Sequence, residues 1–265
     1  MKKTPKEVEE KVCQDYLTNK YSSRELGIKY SLSKSTILRI LGRNNIKVEN
    51  HRLINNNLIV DYFKVIDCEE KAYFLGFIFA DGCVSKNQIY IDINDKDREI
   101  LERFRKEVHS NCMISTRIKG KSIMSRVTIK NKDFVEYLKE YGIVENKTNN
   151  TYHLPVQLIP KIFYKDFIRG LVDGDGWITK TQEGYYKIGY VTHYQSVAED
   201  FVYMINNLLE NKWNNKIIKR DNKYSVVQIQ SQKQVEQLAH ALYANNNICL
   251  SRKYRVAQEI YDSKC

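Results

Sequence analysis

The chain predicts an α+β fold: two pseudo-symmetric halves behind a small all-α N-terminal module. Three observations predict it. Two short apolar runs, FLGFIFADG at 74–82 and IRGLVDGDG at 168–176, each carry a mid-run glycine and close on Asp-Gly. Each run is followed by the same succession of strand and helix patterns over about 95 residues, the mark of an internal duplication. The first 46 residues show only helical spacing of apolar residues, with no strand-like alternation.

Composition sets the bounds. The 265 residues are 42% hydrophobic and 28% charged, an ordinary balance for a globular protein with a real core. The net charge of +11 favours an anionic partner, nucleic acid first and a membrane surface second. The six cysteines are scattered without a CxxC pair, and the histidines fall at no zinc spacing. Both facts point to a reducing compartment and away from zinc. The start MKKTPKEVEE lacks the apolar core of a signal peptide, and the longest apolar run, AYFLGFIFA, is nine residues, too short to span a bilayer. No membrane partner is expected. A cytoplasmic protein is, or an organellar one if the cell is eukaryotic.

Taken in order, residues 1–48 read as a helix-turn-helix DNA-binding module. VEEKVCQDYLTN places Val8, Val12, Tyr16 and Leu17 on one stripe, and SSRELGIKYSL opens on a capping serine. SKSTILRILGRNNI has Ser33 or Ser35 as cap and Ile37, Ile40 and Leu41 as its buried face. Its other face shows Lys34, Ser35, Arg39 and Arg43, which suits a recognition helix. This segment resembles the helix-turn-helix regions of resolvases and transposases. Residues 49–70 are Asn-rich and read as a linker with a helical turn near Leu58 to Phe63.

The repeated part is 71–265, with repeats at about 71–150 and 165–265. In the first, the apolar run ends at Asp81. Then come a strand IYIDIN, a helix DKDREILERFRKEV, strands ISTRIKG and SRVTIK, and a helix KDFVEYLKEYGI. In the second, the run ends at Asp175. KIGYVTH, the helix SVAEDFVYMINNLL and a hairpin turning at Asp221-Asn222 follow, and KQVEQLAHALY is the expected last helix. VTIKNKDFVEYL at 127–138 aligns with VQIQSQKQVEQL at 227–238. One copy alone would expose an apolar helix, whereas two copies bury their opening helices against each other in a monomer.

The glycines and aspartates of the runs do different work. Gly76 and Gly170 cost helix stability and make sense only where two helix backbones touch. Gly82 and Gly176 are expected as C-caps. Asp81 and Asp175 then sit at helix C-termini, where the macrodipole disfavours an anion. Two such carboxylates together call for a cation. Hard oxygen ligands left partly open select Mg²⁺ (or Mn²⁺), and that arrangement suits phosphodiester hydrolysis.

With these residues in view, the chain resembles the two-motif, single-chain LAGLIDADG homing endonucleases over 71–265, carried by FLGFIFADG and IRGLVDGDG. The resemblance implies αββαββα-type repeats with antiparallel saddle sheets. It implies an endonuclease that cuts both strands of a long specific site in double-stranded DNA and so mobilises an intron, intein or free-standing gene. The chain's ends show no splicing-domain sequence, which speaks against an intein. The resemblance makes Asp81 and Asp175 the metal ligands, with Ala80 and Gly174 offering backbone carbonyls. Phe79 departs from the acidic residue that Asp173 keeps in the second motif. A basic residue near each repeat's end is also implied: Lys147 in the first, Arg252 or Lys253 in the second.

The strand patterns add a DNA-reading face: Arg126, Thr128 and Lys130 in one repeat, Gln228 and Gln230 in the other. Arg117, Lys119 and Lys121, with Lys216, Lys219, Arg220 and Lys223, line the hairpins. Two further readings share this scaffold, a non-cleaving DNA-binding regulator and an RNA maturase acting on its own intron.

Overall fold

A computed structural model describes residues 4–18, 21–48, 57–145, 152–210, 217–220 and 223–262. The N-terminal module is α1 (Lys6–Leu17), α2 (Ser23–Lys29) and α3 (Lys34–Arg43). Local chemistry sets the helix starts. Ser22 and Glu25 form a reciprocal capping box on α2, and Ser33, not Ser35, caps α3 by accepting from the Thr36 N–H. Val12, Tyr16, Leu26, Ile37, Ile40 and Leu41 make a core of their own, distinct from the main one.

Part of the stretch expected as a linker packs into the main core. Residues 49–56 lie outside the described residues. Beyond them no helix forms, and Leu58, Tyr62, Phe63 and Ile66 are buried in the main core. Phe63 stands edge-on to Phe134 at 5.6 Å. Apolar side chains spaced for a groove rather than a helix face gave no periodic signal.

The first half runs α4 (Glu69–Asp81), β1 (Gly82–Ser85), β2 (Gln88–Asn94), α5 (Arg98–Glu107), β3 (Ser115–Lys119), β4 (Ser122–Lys130) and α6 (Lys132–Glu140). The second repeats the order with α7 (Tyr164–Asp175), β5 (Gly176–Lys180), β6 (Tyr186–Thr192), α8 (Gln195–Leu208), β7 (Ile217–Arg220), β8 (Tyr224–Ile229) and α9 (Gln232–Tyr243). It then adds α10 (Ser251–Asp262), so KQVEQLAHALY is not the last helix. The αββαββα reading holds for both halves. Each half forms one antiparallel sheet, in the orders β1-β2-β4-β3 and β5-β6-β8-β7. The turn expected at Asp221-Asn222 lies outside the described residues.

β1 and β5 begin at the residue after each helix, and this corrects the role expected for Gly82 and Gly176. Neither is a left-handed cap: Gly82 has φ −78° and ψ 143°, and Gly176 φ −101° and ψ −179°. The chain leaves each helix already extended. Glycine is needed for room, since a Cβ at Gly82 would lie 2.4 Å from the Ile78 carbonyl oxygen, and one at Gly176 2.7 Å from that of Gly189. Both sheets turn one face to the helices. Val127 and Ile129, and likewise Val227 and Ile229, are fully buried there.

Candidate functional site

The site is made where α4 and α7 end side by side. Their contact runs through three glycines. A Cβ on Gly76 would stand 2.2 Å from the Phe167 carbonyl oxygen, and one on Gly170 2.1 Å from that of Tyr73. No other residue lets the two backbones approach so closely. At the tip, a Cβ on Gly174 would meet Ala80 Cβ at 2.4 Å and the Asp81 Oδ2 carboxylate oxygen at 3.1 Å. The Asp81 carboxylate thus lies against the backbone just before Asp175. Both aspartates are half-buried at the last residue of their helix. Asp175 shares a cleft with Ala80, Tyr190, His193 and Tyr194. Burial, and behind it the Asp175 charge, hold the Tyr190 hydroxyl far above its usual range.

The two helices have unlike surroundings. Aligned on the aspartates, α4 offers Ala72, Leu75 and Phe79 where α7 has Asp166, Arg169 and Asp173. Phe79 stacks on Tyr152 at 4.7 Å. Asp173 instead accepts from the Tyr73 hydroxyl at 2.8 Å, the Tyr243 hydroxyl at 2.7 Å and the Leu250 N–H at 2.8 Å. Burial still lifts its carboxyl above the ordinary range. Fully buried Arg169 donates to the Ile248 carbonyl at 2.7 Å, the Leu242 carbonyl at 2.9 Å and Asp166 at 2.8 Å. A buried polar layer of this kind is stable only while every member keeps its partner.

Lys253 completes the layer and separates the two basic candidates of the second repeat. It is 3% exposed, and Nζ donates to three backbone carbonyls: Val172 at 2.5 Å, Asp173 at 2.7 Å and Gly176 at 2.7 Å. An ammonium has three N–H groups, so all are committed to the end of α7. There the positive charge offsets the negative end of the dipole beside Asp175. Burial pushes its pKa down to about 8, against the pull of Asp173 and Asp81. Arg252 points elsewhere, its Nε 3.0 Å from both Asp97 carboxylate oxygens and its side chain 54% exposed. Lys253→Met is expected to strand three buried carbonyls and cost about 3 kcal/mol. Thermal unfolding checks it, and an unchanged melting temperature would refute the capping role. Lys147 lies outside the described residues.

A known family matches the two stretches that build this site. The LAGLIDADG-like domain family covers residues 69–142 and 163–242. The chain belongs to the LAGLIDADG family. Curated relatives include the replication factor C small subunit of Methanocaldococcus jannaschii, 28% identical over 160 residues, 56% of this chain and 8% of that protein. A component of the A-type ATP synthase of Pyrococcus abyssi is 28% identical over 144 residues, 53% of this chain and 14% of that one. The chain therefore matches only a small part of these relatives' length. Among solved structures it is similar to the I-LtrWI LAGLIDADG homing endonuclease bound to target DNA, at 11% identity and TM-score 0.49, over 77% of this chain and 90% of that one. The N-terminal LAGLIDADG domain of DUF199/WhiA is similar at 16% identity and TM-score 0.47, over 71% and 90%.

The LAGLIDADG sheets carry several of the remaining candidates on the faces away from the helices. Strand register puts Arg117, Lys119, Arg126, Thr128 and Lys130 on one outer face, with Lys121 exposed in the adjoining turn. Arg220, Gln228 and Gln230 lie on the outer side of the second sheet. Lys219 pairs with Ser225 on the opposite side, Lys223 precedes β8, and Lys216 lies outside the described residues. Residue patterns missed Asp92 and Tyr90. Asp92 accepts from Arg117 Nη2 and, at 2.8 Å, from Arg126 Nη2, while the Arg126 guanidinium lies 4.3 Å over the Tyr90 ring. Burial raises the Asp92 carboxyl, but the two arginines outweigh it and hold the pKa below the usual value. An acid within a basic strand pattern reads as noise until the register places it between the arginines. In α3, Lys34, Ser35 and Arg39 are exposed together, and Arg43 pairs with Glu9 at 2.7 Å.

Proposed function

We propose that the chain is a site-specific endonuclease that cuts double-stranded DNA, with divalent metal held by Asp81 and Asp175. The observation that carries this is the convergence of two carboxylates at the negative ends of two helices fused through glycine. Such a pair is costly, because the carboxylates repel each other and oppose the dipoles.

The donor set fits a hard divalent cation. Two carboxylates beside the carbonyl-bearing residues Ala80 and Gly174 supply only oxygen. Mg²⁺ favours this, since it keeps open positions for water and phosphate oxygens. When bound, the ion supplies charge neutralisation at the phosphate and an activated water. The protein's own residues do the rest. The glycine contact fixes the spacing of the aspartates, and Lys253 fixes the end of α7. The cationic sheet faces position the duplex through its phosphates. Because both carboxylates come from one chain, a monomer suffices. No described helix is long and apolar enough to cross a membrane.

The test uses the full chain and pooled duplexes carrying candidate insertion sites. Cleavage of both strands in Mg²⁺, with binding alone in Ca²⁺, is the expected result. Binding without scission in either ion would instead assign a non-cleaving regulator. Binding confined to RNA would assign a maturase.

The N-terminal module adds a second duplex contact through Lys34, Ser35 and Arg39. Removal of residues 1–48 is expected to weaken DNA binding while the cut position stays fixed. A displaced cut in a sequencing-gel assay would mean that the module sets the register.

A further inference from the structure

The strand registers align the two outer faces residue by residue. Gly82 pairs with Ile91 as Gly176 pairs with Tyr190, and Tyr90 with Thr128 as Gly189 with Gln228. On that alignment Arg117 corresponds to Arg220, opposite Met124 and Tyr224. The row beside it does not match. The first sheet has Ser115, Arg126 and Asp92 side by side on neighbouring strands. The second has Ile218, Val226 and Val191 in those places.

One face therefore presents a charged row and the other an aliphatic row. Val226 is 3% exposed yet belongs to no part of the main core, and Ile218 beside it is 41% exposed. The apolar strip continues to Trp177, whose indole lies so close over Gly189 that a Cβ there would sit 2.1 Å from it. A β-face buried against helices needs such a row, whereas one that faces water does not. Val226 is already covered, so the exposed Ile218 and the half-buried Val191 and Trp177 are the members that a base edge can meet. In the major groove thymine offers an apolar methyl, and guanine offers two acceptors that match an arginine fork.

We propose that the two sheets read half-sites of opposite chemistry. The first reads guanine through Arg117 and Arg126, both steered by Asp92. The second reads thymine methyls through Ile218, Val191 and Trp177. This rests on the double-stranded DNA reading above, and it adds that the target is chemically lopsided although the fold is pseudo-symmetric.

The experiment retains random duplexes on the full chain in Ca²⁺ and sequences them. Guanine enrichment in one half and thymine enrichment in the other is expected. The winning duplex is then rebuilt with uracil for thymine, or 7-deazaguanine for guanine, one half at a time. Uracil is expected to weaken binding about fourfold for each methyl lost, in the thymine half only. Deazaguanine is expected to weaken binding about tenfold in the other half, and by less in the thymine half, where Arg220 matches Arg117 but Val226 and Val191 replace Arg126 and Asp92. Two exposed side chains assign the halves without disturbing the core. Ile218→Ser weakens the uracil effect and keeps the deazaguanine effect, and Arg117→Gln does the reverse. An enriched site whose halves respond alike, or a uracil effect undiminished in Ile218→Ser, overturns the inference and leaves the DNA reading standing. A pool with no enrichment overturns both.

Discussion

Asp175→Asn is expected to lower strand cleavage by at least about 100-fold while duplex binding in Ca²⁺ persists. In the proposed site Asp175 is a metal ligand, and even the outer partners of such a ligand cost up to about 100-fold when changed, so the ligand itself costs no less. Asparagine keeps the size and one oxygen but loses the charge that holds a divalent ion. Lys253, the buried cation at the end of α7, has its three donors committed to backbone carbonyls and cannot take on a new role. The change should leave the fold intact or slightly firmer, since it removes an anion from the negative end of α7. A gel assay of supercoiled and linear product, run beside a thermal melt, separates the two effects. Undiminished cutting by this variant would remove Asp175 from the metal site.

The largest effect on stability is expected from Gly170→Ala. The added Cβ would sit 2.1 Å from the Tyr73 carbonyl oxygen and 2.8 Å from the Phe77 nitrogen. Both are backbone atoms of a packed helix, so neither can swing aside. The helices must separate, at a cost of about 3 kcal/mol or more. For a chain of this size that lowers the melting temperature by roughly 6 °C or more. Activity should fall further than stability, because separation also spreads the carboxylates. Gly42→Ala is the control, since a Cβ there meets nothing within 4 Å. It should leave melting unchanged or raise it, as alanine is the better helix former. Equal melting of the two variants would mean that the glycine contact is not what joins the halves.

Much of this was legible because duplication wrote it twice. The glycines, the aspartates and the order of most elements recur in register, and a pattern seen twice is hard to mistake. Features without a periodic signature escaped. β1 and β5 follow their helices with no intervening residue, so glycine read as a cap. α10 shows Lys253, Ala257 and Ile260 at helical spacing, but a lysine does not look like a buried residue. Arg252 and Lys253 are adjacent and chemically alike on paper. Only the helix's orientation sends one into the core and the other to Asp97. Asp92 escaped because its purpose lies across strands, in the two arginines that it holds.

The polar layer on α7 bears on how such a protein can be rebuilt. Exchange of halves between relatives is attractive when a fold is made of two similar units. Here the units are not interchangeable parts. A second copy of the first half would bring Ala72, Leu75 and Phe79 to positions where Leu242, Ile248 and Leu250 await charged or hydrogen-bonding partners. A working chimera must therefore carry α7 together with residues 242–253 as one cassette, with Tyr73 retained on the opposing helix.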